Sequence, residues 1–228
     1  MNNKKTALIS GATGLVGAEC LNLLVNSDLY EKVFVLARSS PGKKKEHPKV
    51  EIIRIDFDKL GNIEDIDRVD HIFCALGTTI KKAGSKENFA KVDRDYPLKL
   101  ARLGLELGAN HYLLVSAMGA NPDSKVFYNK IKGEAEAKIS KLNFRSISFF
   151  RPSLLLGKRE EFRLGEEISK RIMKIFDFLI PRKYKAIPAK EVAASMLYSA
   201  KEDKPGVHIY ESDEAREAAG KYLSSTKK

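Results

Sequence analysis

The sequence predicts a doubly wound α/β fold, a parallel sheet covered by helices on both faces. Three observations carry that expectation. Short apolar runs recur along the first two thirds of the chain, with stretches of helical apolar spacing between them. A glycine turn, ISGATGLVGAE, stands between the first apolar run and the first helix. Farther on, FYNKIKGEAEAK puts Tyr128 and Lys132 one helical turn apart on one face.

In chain order, KTALISG reads as a strand that stops at Gly11, and GLVGAECLNLLVNS spaces Val16, Cys20, Leu23 and Leu24 as a helix does. KVFVLA, VEIIRID and DHIFCALG are the second to fourth strands. ENFAKVDRDYPLKLARLGLELGA reads as one helix, with Pro97 marking a start or kink and Gly108 a stop. HYLLVSA and FRSISFF are the fifth and sixth strands, with the Tyr128 helix between them. Beyond Pro152 the pattern changes to two helices, GEEISKRIMKIFDFLI and KEVAASMLYSA, then a short strand GVHIY, and LSSTKK reads as a frayed end. No linker composition separates the parts. A single domain is therefore expected over 1–228, with a dinucleotide-binding core at 1–150 and a dependent substrate-side lobe at 151–228.

Composition narrows the function classes. The chain has 228 residues, 43% of them hydrophobic and 31% charged, as an ordinary globular domain does. No apolar run approaches the roughly 20 residues a membrane helix needs, so no membrane insertion is expected. The N-terminus lacks the apolar core of a secretory signal. Cys20 and Cys74, in apolar surroundings, read as reduced buried thiols, and together these features give a cytoplasmic expectation. The net charge of +11 comes from 41 Lys and Arg against 30 Asp and Glu. Its clusters at Lys43–Lys45, Lys81–Lys82, Arg182–Lys185 and Lys227–Lys228 are scattered, which argues against nucleic acid; a solvated basic surface is expected, with a phosphate-rich cofactor absorbing part of the charge. His47, His71, His111 and His208 show no metal-ligand spacing, so no metal is expected.

The glycine turn has G-x-x-G-x-x-G at Gly11, Gly14 and Gly17. Those positions suit a tight turn, a close backbone approach to a pyrophosphate, and a helix lying close on its strand. Free N–H groups and the positive dipole end of the helix then face the phosphates. After the second strand an acid would favour NAD, but this chain has Arg38 followed by two serines, which favours NADP(H) over NAD(H). Ser116, at the end of the fifth strand, lies twelve residues before Tyr128; strand end and helix face both open onto the ligand crevice in such a fold, which suits its hydroxyl to orienting a substrate oxygen.

The glycine turn plus Tyr-x-x-x-Lys resembles the short-chain dehydrogenase/reductase superfamily. CALGTTIKKAGSKENFAKVDRDYPLKLA, VSAMGA, FYNKIKGEAEAKI and FRPSLLLGKREEFRLGE resemble its atypical branch, the Tat-interacting-protein-like oxidoreductases. That resemblance spans the first strand to about residue 200. It implies a Rossmann-type domain with Tyr128 and Lys132 as the catalytic pair. It also implies cofactor contacts at Thr13, Leu15 and Val16 in the phosphate turn, Arg38 at a 2′-phosphate, Asp56 and Phe57 flanking adenine, and Leu76 and Gly77 under the ribose. Leu155 and Arg163 would close over the nicotinamide end and the phosphates. Two positions depart from the pattern: Ala117 follows Ser116, and Asp93 stands near the place of the superfamily's helix-four asparagine.

The function expected is NADPH-dependent reduction of a small carbonyl compound. An NADPH-sensing binding protein with a protein partner is the alternative from another class, and a nucleotide-sugar epimerase or dehydratase is a third. Sequence leaves monomer and homodimer equally open.

Overall fold

The computed structural model describes residues 4–38, 47–61, 63, 65–157 and 181–226. Seven strands form one wholly parallel sheet: β1 (Lys5–Ser10), β2 (Tyr30–Ala37), β3 (Val50–Arg54), β4 (His71–Cys74), β5 (His111–Val115), β6 (Ser146–Arg151) and β9 (Gly206–Glu211). Their order across the sheet is β3-β2-β1-β4-β5-β6-β9. The direction of travel reverses beside β1, between β1 and β4, and there the strand ends open a crevice for a ligand. β4 and β5 are buried at every residue, which is why they read as unbroken apolar runs.

Two cores result. On one face α1 (Leu15–Val25), α6 (Ala189–Glu202) and α7 (Ser212–Ser225) bury Cys20, Leu24, Val192, Met196 and Tyr222 against Ile9, Val35 and Phe150. On the other, α4 (Tyr96–Glu106) and α5 (Phe127–Ile139) bury Leu100, Leu103 and Ile139 against Leu8, Ile72 and Phe149. Both cysteines are free and buried, and burial pushes their thiols up, away from reactivity. A two-stranded parallel sheet of β7 (Leu155–Leu156) and β8 (Ile187–Pro188) stands apart from the main one. Among the described residues no helix is long and apolar enough to cross a membrane.

The helix expected over 87–109 is three pieces. α3 (Lys86–Ala90) passes into a π-helical turn at Lys91–Asp95 and then into α4, with α2 (Ile80–Ala83) one turn earlier. Pro97 sits in the first turn of α4, directly after the π-turn. Leu107 caps α4, and Gly108 follows in the left-handed region at φ 76°, as a helix stop requires. The frayed end expected at LSSTKK is corrected at Leu223, Ser224 and Ser225, since α7 runs to Ser225; Lys227 and Lys228 lie outside the described residues. A capping box between Glu211 and Glu214 starts that helix, and Ala215, Ala218 and Ala219 bury its inner face. The helix expected over GEEISKRIMKIFDFLI lies outside the described residues, as do Lys43–Lys45 and Arg163.

Candidate active site

The glycine turn is built by close approach. Gly11 has φ +83°, and a Cβ there would stand 2.3 Å from the Ala75 carbonyl oxygen, beyond the end of β4. A Cβ on Gly17 would stand 2.1 Å from the Gly11 oxygen, so α1 can lie on β1 only without one. Gly14 caps α1 with no side-chain acceptor, leaving first-turn amides at Leu15 and Val16 for a ligand. Thr13 stands in the same turn. These features fit a pyrophosphate cradle.

β2 and β3 end side by side, with Ala37 opposite Arg54, so exposed Arg38 lies beside the Asp56–Phe57 turn. Asp56 Oδ1 accepts from the Asp58 amide, while the Phe57 ring is turned inward and stacks on Tyr96 at 5.2 Å. A ligand at that turn would meet the Phe57 backbone rather than its ring. Leu76 and Gly77 follow β4. Leu155 sits in β7, and Gly157 just past it approaches Leu15, since a Cβ there would be 2.9 Å from Leu15 Cδ2. The β7 end thus folds back over the glycine turn.

α5 presents the pair. Its first-turn Tyr128 is 38% exposed, with its ring 5.5 Å from Phe89 on α3. One turn later Lys132 is buried. Its Nζ lies 2.8 Å from Asp93 Oδ1, and Asp93 Oδ2 accepts from the Thr78 amide at 2.9 Å. Burial draws the Lys132 ammonium down, but the Asp93 charge and Tyr128 outweigh it, so its pKa stands above the ordinary lysine value. Ser116, just past β5, is buried, and its Oγ has no hydrogen-bond partner among the described residues. A buried hydroxyl left open like this fits a ligand oxygen. Gly133 lets the loop at Asn121–Pro122 settle on α5, since a Cβ there would be 2.2 Å from the Asn121 backbone.

A family model described as semialdehyde dehydrogenase, NAD binding domain, matches residues 6–91. Protein HTATIP2 of Rattus norvegicus is 37% identical over 169 residues, covering 73% of this chain and 69% of that one. Protein FMP52, mitochondrial, of Meyerozyma guilliermondii is 32% identical over 232 residues, covering 96% and 99%. The chain belongs to the HTATIP2/FMP52 family. That family is an atypical branch of the short-chain dehydrogenase/reductases, and its Rossmann domain binds a nicotinamide dinucleotide in an oxidoreductase-type fold. Among solved structures, the oxidoreductase ylbE from Lactococcus lactis superposes with TM-score 0.66 at 18% identity, covering 96% of this chain and 97% of that one. A UDP-N-acetylglucosamine 4-epimerase from Methanobrevibacter ruminantium M1 superposes with TM-score 0.67 at 18% identity, covering 91% and 76%. At that identity both show the fold alone.

The cytoplasmic expectation is overturned, because several fungal members of the HTATIP2/FMP52 family are named as mitochondrial proteins. The lack of an apolar signal carried no weight on this point, since mitochondrial transit segments are amphipathic and basic rather than apolar.

Sequence reasoning missed one polar cluster. The four histidines look scattered, yet parallel pairing sets His71 and His111 opposite each other at the start of β4 and β5. His71 Nε2 lies 2.8 Å from Lys5 Nζ and its Nδ1 2.7 Å from the Tyr30 hydroxyl. Asp203, which closes α6 at φ 46°, receives Lys5 at 3.0 Å and Arg145 at 2.9 Å, with His111 Nδ1 at 3.2 Å. One ligand atom from each of His71, His111 and Asp203 could gather on a cation within 4.8 Å of one another, but the Lys5 ammonium already supplies positive charge there. The cluster lies at the strand starts, the edge of the sheet opposite the glycine turn.

Proposed function

We propose that this chain reduces a small carbonyl compound with NADPH, using Tyr128 as the proton donor. The observation that carries the reading is the pairing of a half-exposed phenol with a buried, charged lysine one helical turn away. When bound, the dinucleotide supplies the hydride. Gly11, Gly14 and Gly17, with the amides of Leu15 and Val16, would hold its pyrophosphate, and Arg38 a 2′-phosphate. Thr13, Leu76, Gly77 and Leu155 line the remaining approach.

As charge develops on the carbonyl oxygen, the Tyr128 hydroxyl donates its proton to that oxygen. The phenolate left behind needs a positive charge close by, one helical turn away on the same face. Lys132 supplies that charge. Ser116 Oγ, unpartnered among the described residues, would donate to the same oxygen and fix its direction.

The test is NADPH oxidation against a panel of aldehydes, ketones and quinones, with Tyr128→Phe as the paired protein. Turnover that falls by at least about 100-fold in the variant, with NADPH still bound, is expected for loss of a general acid. Equal turnover by both proteins would refute the mechanism. Tight NADPH binding without turnover by either would favour the sensing alternative.

A further inference from the structure

We propose that Asp93 is a positioning residue for the Tyr128–Lys132 pair: a buried carboxylate that holds Lys132 as an ammonium at the edge of the crevice. The inference rests on the Tyr128–Lys132 reading above and adds to it a residue which that mechanism does not use.

The π-turn is what brings Asp93 inward. A π-turn is rare and marks functional positions more often than chance. Here Asp93 is the buried residue of the turn, while its charged neighbours point elsewhere. Lys91 pairs with Asp58 at 2.7 Å, and Arg94 bridges Asp95 and Glu134, each at 2.8 Å. Two ion pairs therefore lock the turn to α5, Arg94–Glu134 outside and Asp93–Lys132 inside.

Both Asp93 oxygens are engaged, Oδ1 by Lys132 and Oδ2 by the Thr78 amide, so the carboxylate cannot swing away. The side chains of Lys132 and Asp93 are 5% and 1% exposed, and little water reaches either charge. Among the described residues, the groups that face Lys132 are Asp93 from the π-turn, Tyr128 from its own helix and the Cys74 thiol from β4. Of these Asp93 is the carboxylate, and it pairs directly with the Lys132 ammonium at 2.8 Å. Without it, burial would favour the neutral amine, and a neutral amine exerts no positive field on the Tyr128 phenol. Gly77 keeps the space over the pair open, since a Cβ there would lie 3.5 Å from Asp93 Oδ1 and 3.9 Å from Lys132 Nζ. The pair thus lines the same crevice wall as the backbone after β4.

An amide in place of the carboxylate keeps the shape but not the charge. The experiment follows the Lys132 side chain by NMR with 13Cε-labelled lysine, its signal assigned by its loss in Lys132→Arg. Wild type, Asp93→Asn and Asp93→Glu are titrated through the alkaline range. The Lys132 signal should titrate about 1–3 pH units lower in Asp93→Asn than in wild type, the usual effect of one close opposite charge. Asp93→Glu, which keeps the charge, should stay near wild type. An identical Lys132 titration in wild type and Asp93→Asn would overturn the proposal, and so would an Asp93→Glu that titrates low. In parallel, the alkaline limb of kcat/KM should move to lower pH in Asp93→Asn alone. A shifted NMR titration in a protein that turns over no carbonyl would sink the reductase reading and leave the role of Asp93 standing.

Discussion

Acidifying this protein to about pH 5 should cost it about 2 kcal/mol through one side chain, His71. Its ring is wholly buried, with the Lys5 ammonium at one nitrogen and the Tyr30 hydroxyl at the other. Burial first, then the positive charge of Lys5 and the neighbouring His111, pull its pKa from 6.5 to about 3. The folded chain therefore keeps His71 neutral where the unfolded chain would protonate it. The sign follows directly: the stabilisation is fully present above pH 6.5 and drains away as pH falls toward 3. At about 1.4 kcal/mol per pH unit, the first unit and a half removes about 2 kcal/mol. For a chain of 228 residues this corresponds to a drop of about 4 °C in Tm. His111, also held below its ordinary value by burial, and Asp203, held below the carboxylate range by His111 and Lys5, push the same way. The measurement is therefore a difference: Tm by circular dichroism between about pH 7.5 and about pH 5, for wild type and for His71→Asn. The variant should start less stable and lose about 4 °C less over that range. Parallel curves for the two proteins would refute the reasoning.

Two further outcomes can be checked independently. Arg151 reaches Glu136 at 2.6 Å and Glu211 at 3.5 Å, and the Glu136 side chain is almost fully buried. Arg151→Met should therefore cost about 3 kcal/mol, roughly 6 °C in Tm, with at least half regained when Glu136→Gln is added, as read by thermal melts. Arg38→Ala should weaken NADPH binding by about 10–100-fold and leave NADH unchanged, since one charged hydrogen-bonding partner of the 2′-phosphate is lost. Fluorescence titration of both dinucleotides decides it, and an equal loss for both would remove Arg38 from the 2′-phosphate.

What was legible in the sequence is what lies close together in the chain. Gly11, Gly14 and Gly17 announce a turn because their spacing is local, and Tyr128 and Lys132 share a face because a helix repeats every 3.6 residues. The buried runs of β4 and β5 give away a parallel sheet for the same reason. Contacts made across the sheet left no such trace. Lys5, His71, His111 and Asp203 come from four separate elements, and only the register of parallel strands brings them together. Asp93 could be noticed as standing where an asparagine is usual, but its inward aim depends on a π-turn that no periodicity reveals. α7 escaped because its buried face is mostly alanine, too weakly apolar to stand out among charged neighbours. Phe57 illustrates the opposite hazard, since a residue in the expected place has its ring pointing into the fold.

The π-turn at Lys91–Asp95 also acts as a phase correction. Each residue of an α-helix turns the chain by about 100°, so one surplus residue in a continuous helix re-aims everything after it. Before the turn, Phe89 and Ala90 look toward Ile131 on α5. After it, Leu100 and Leu103 look down onto the sheet at Ile72 and Leu114. Deleting a single residue from the turn would force a choice between those two orientations. Either α5 would lose its neighbour or the core would lose its lid, with every apolar side chain outside the turn unchanged.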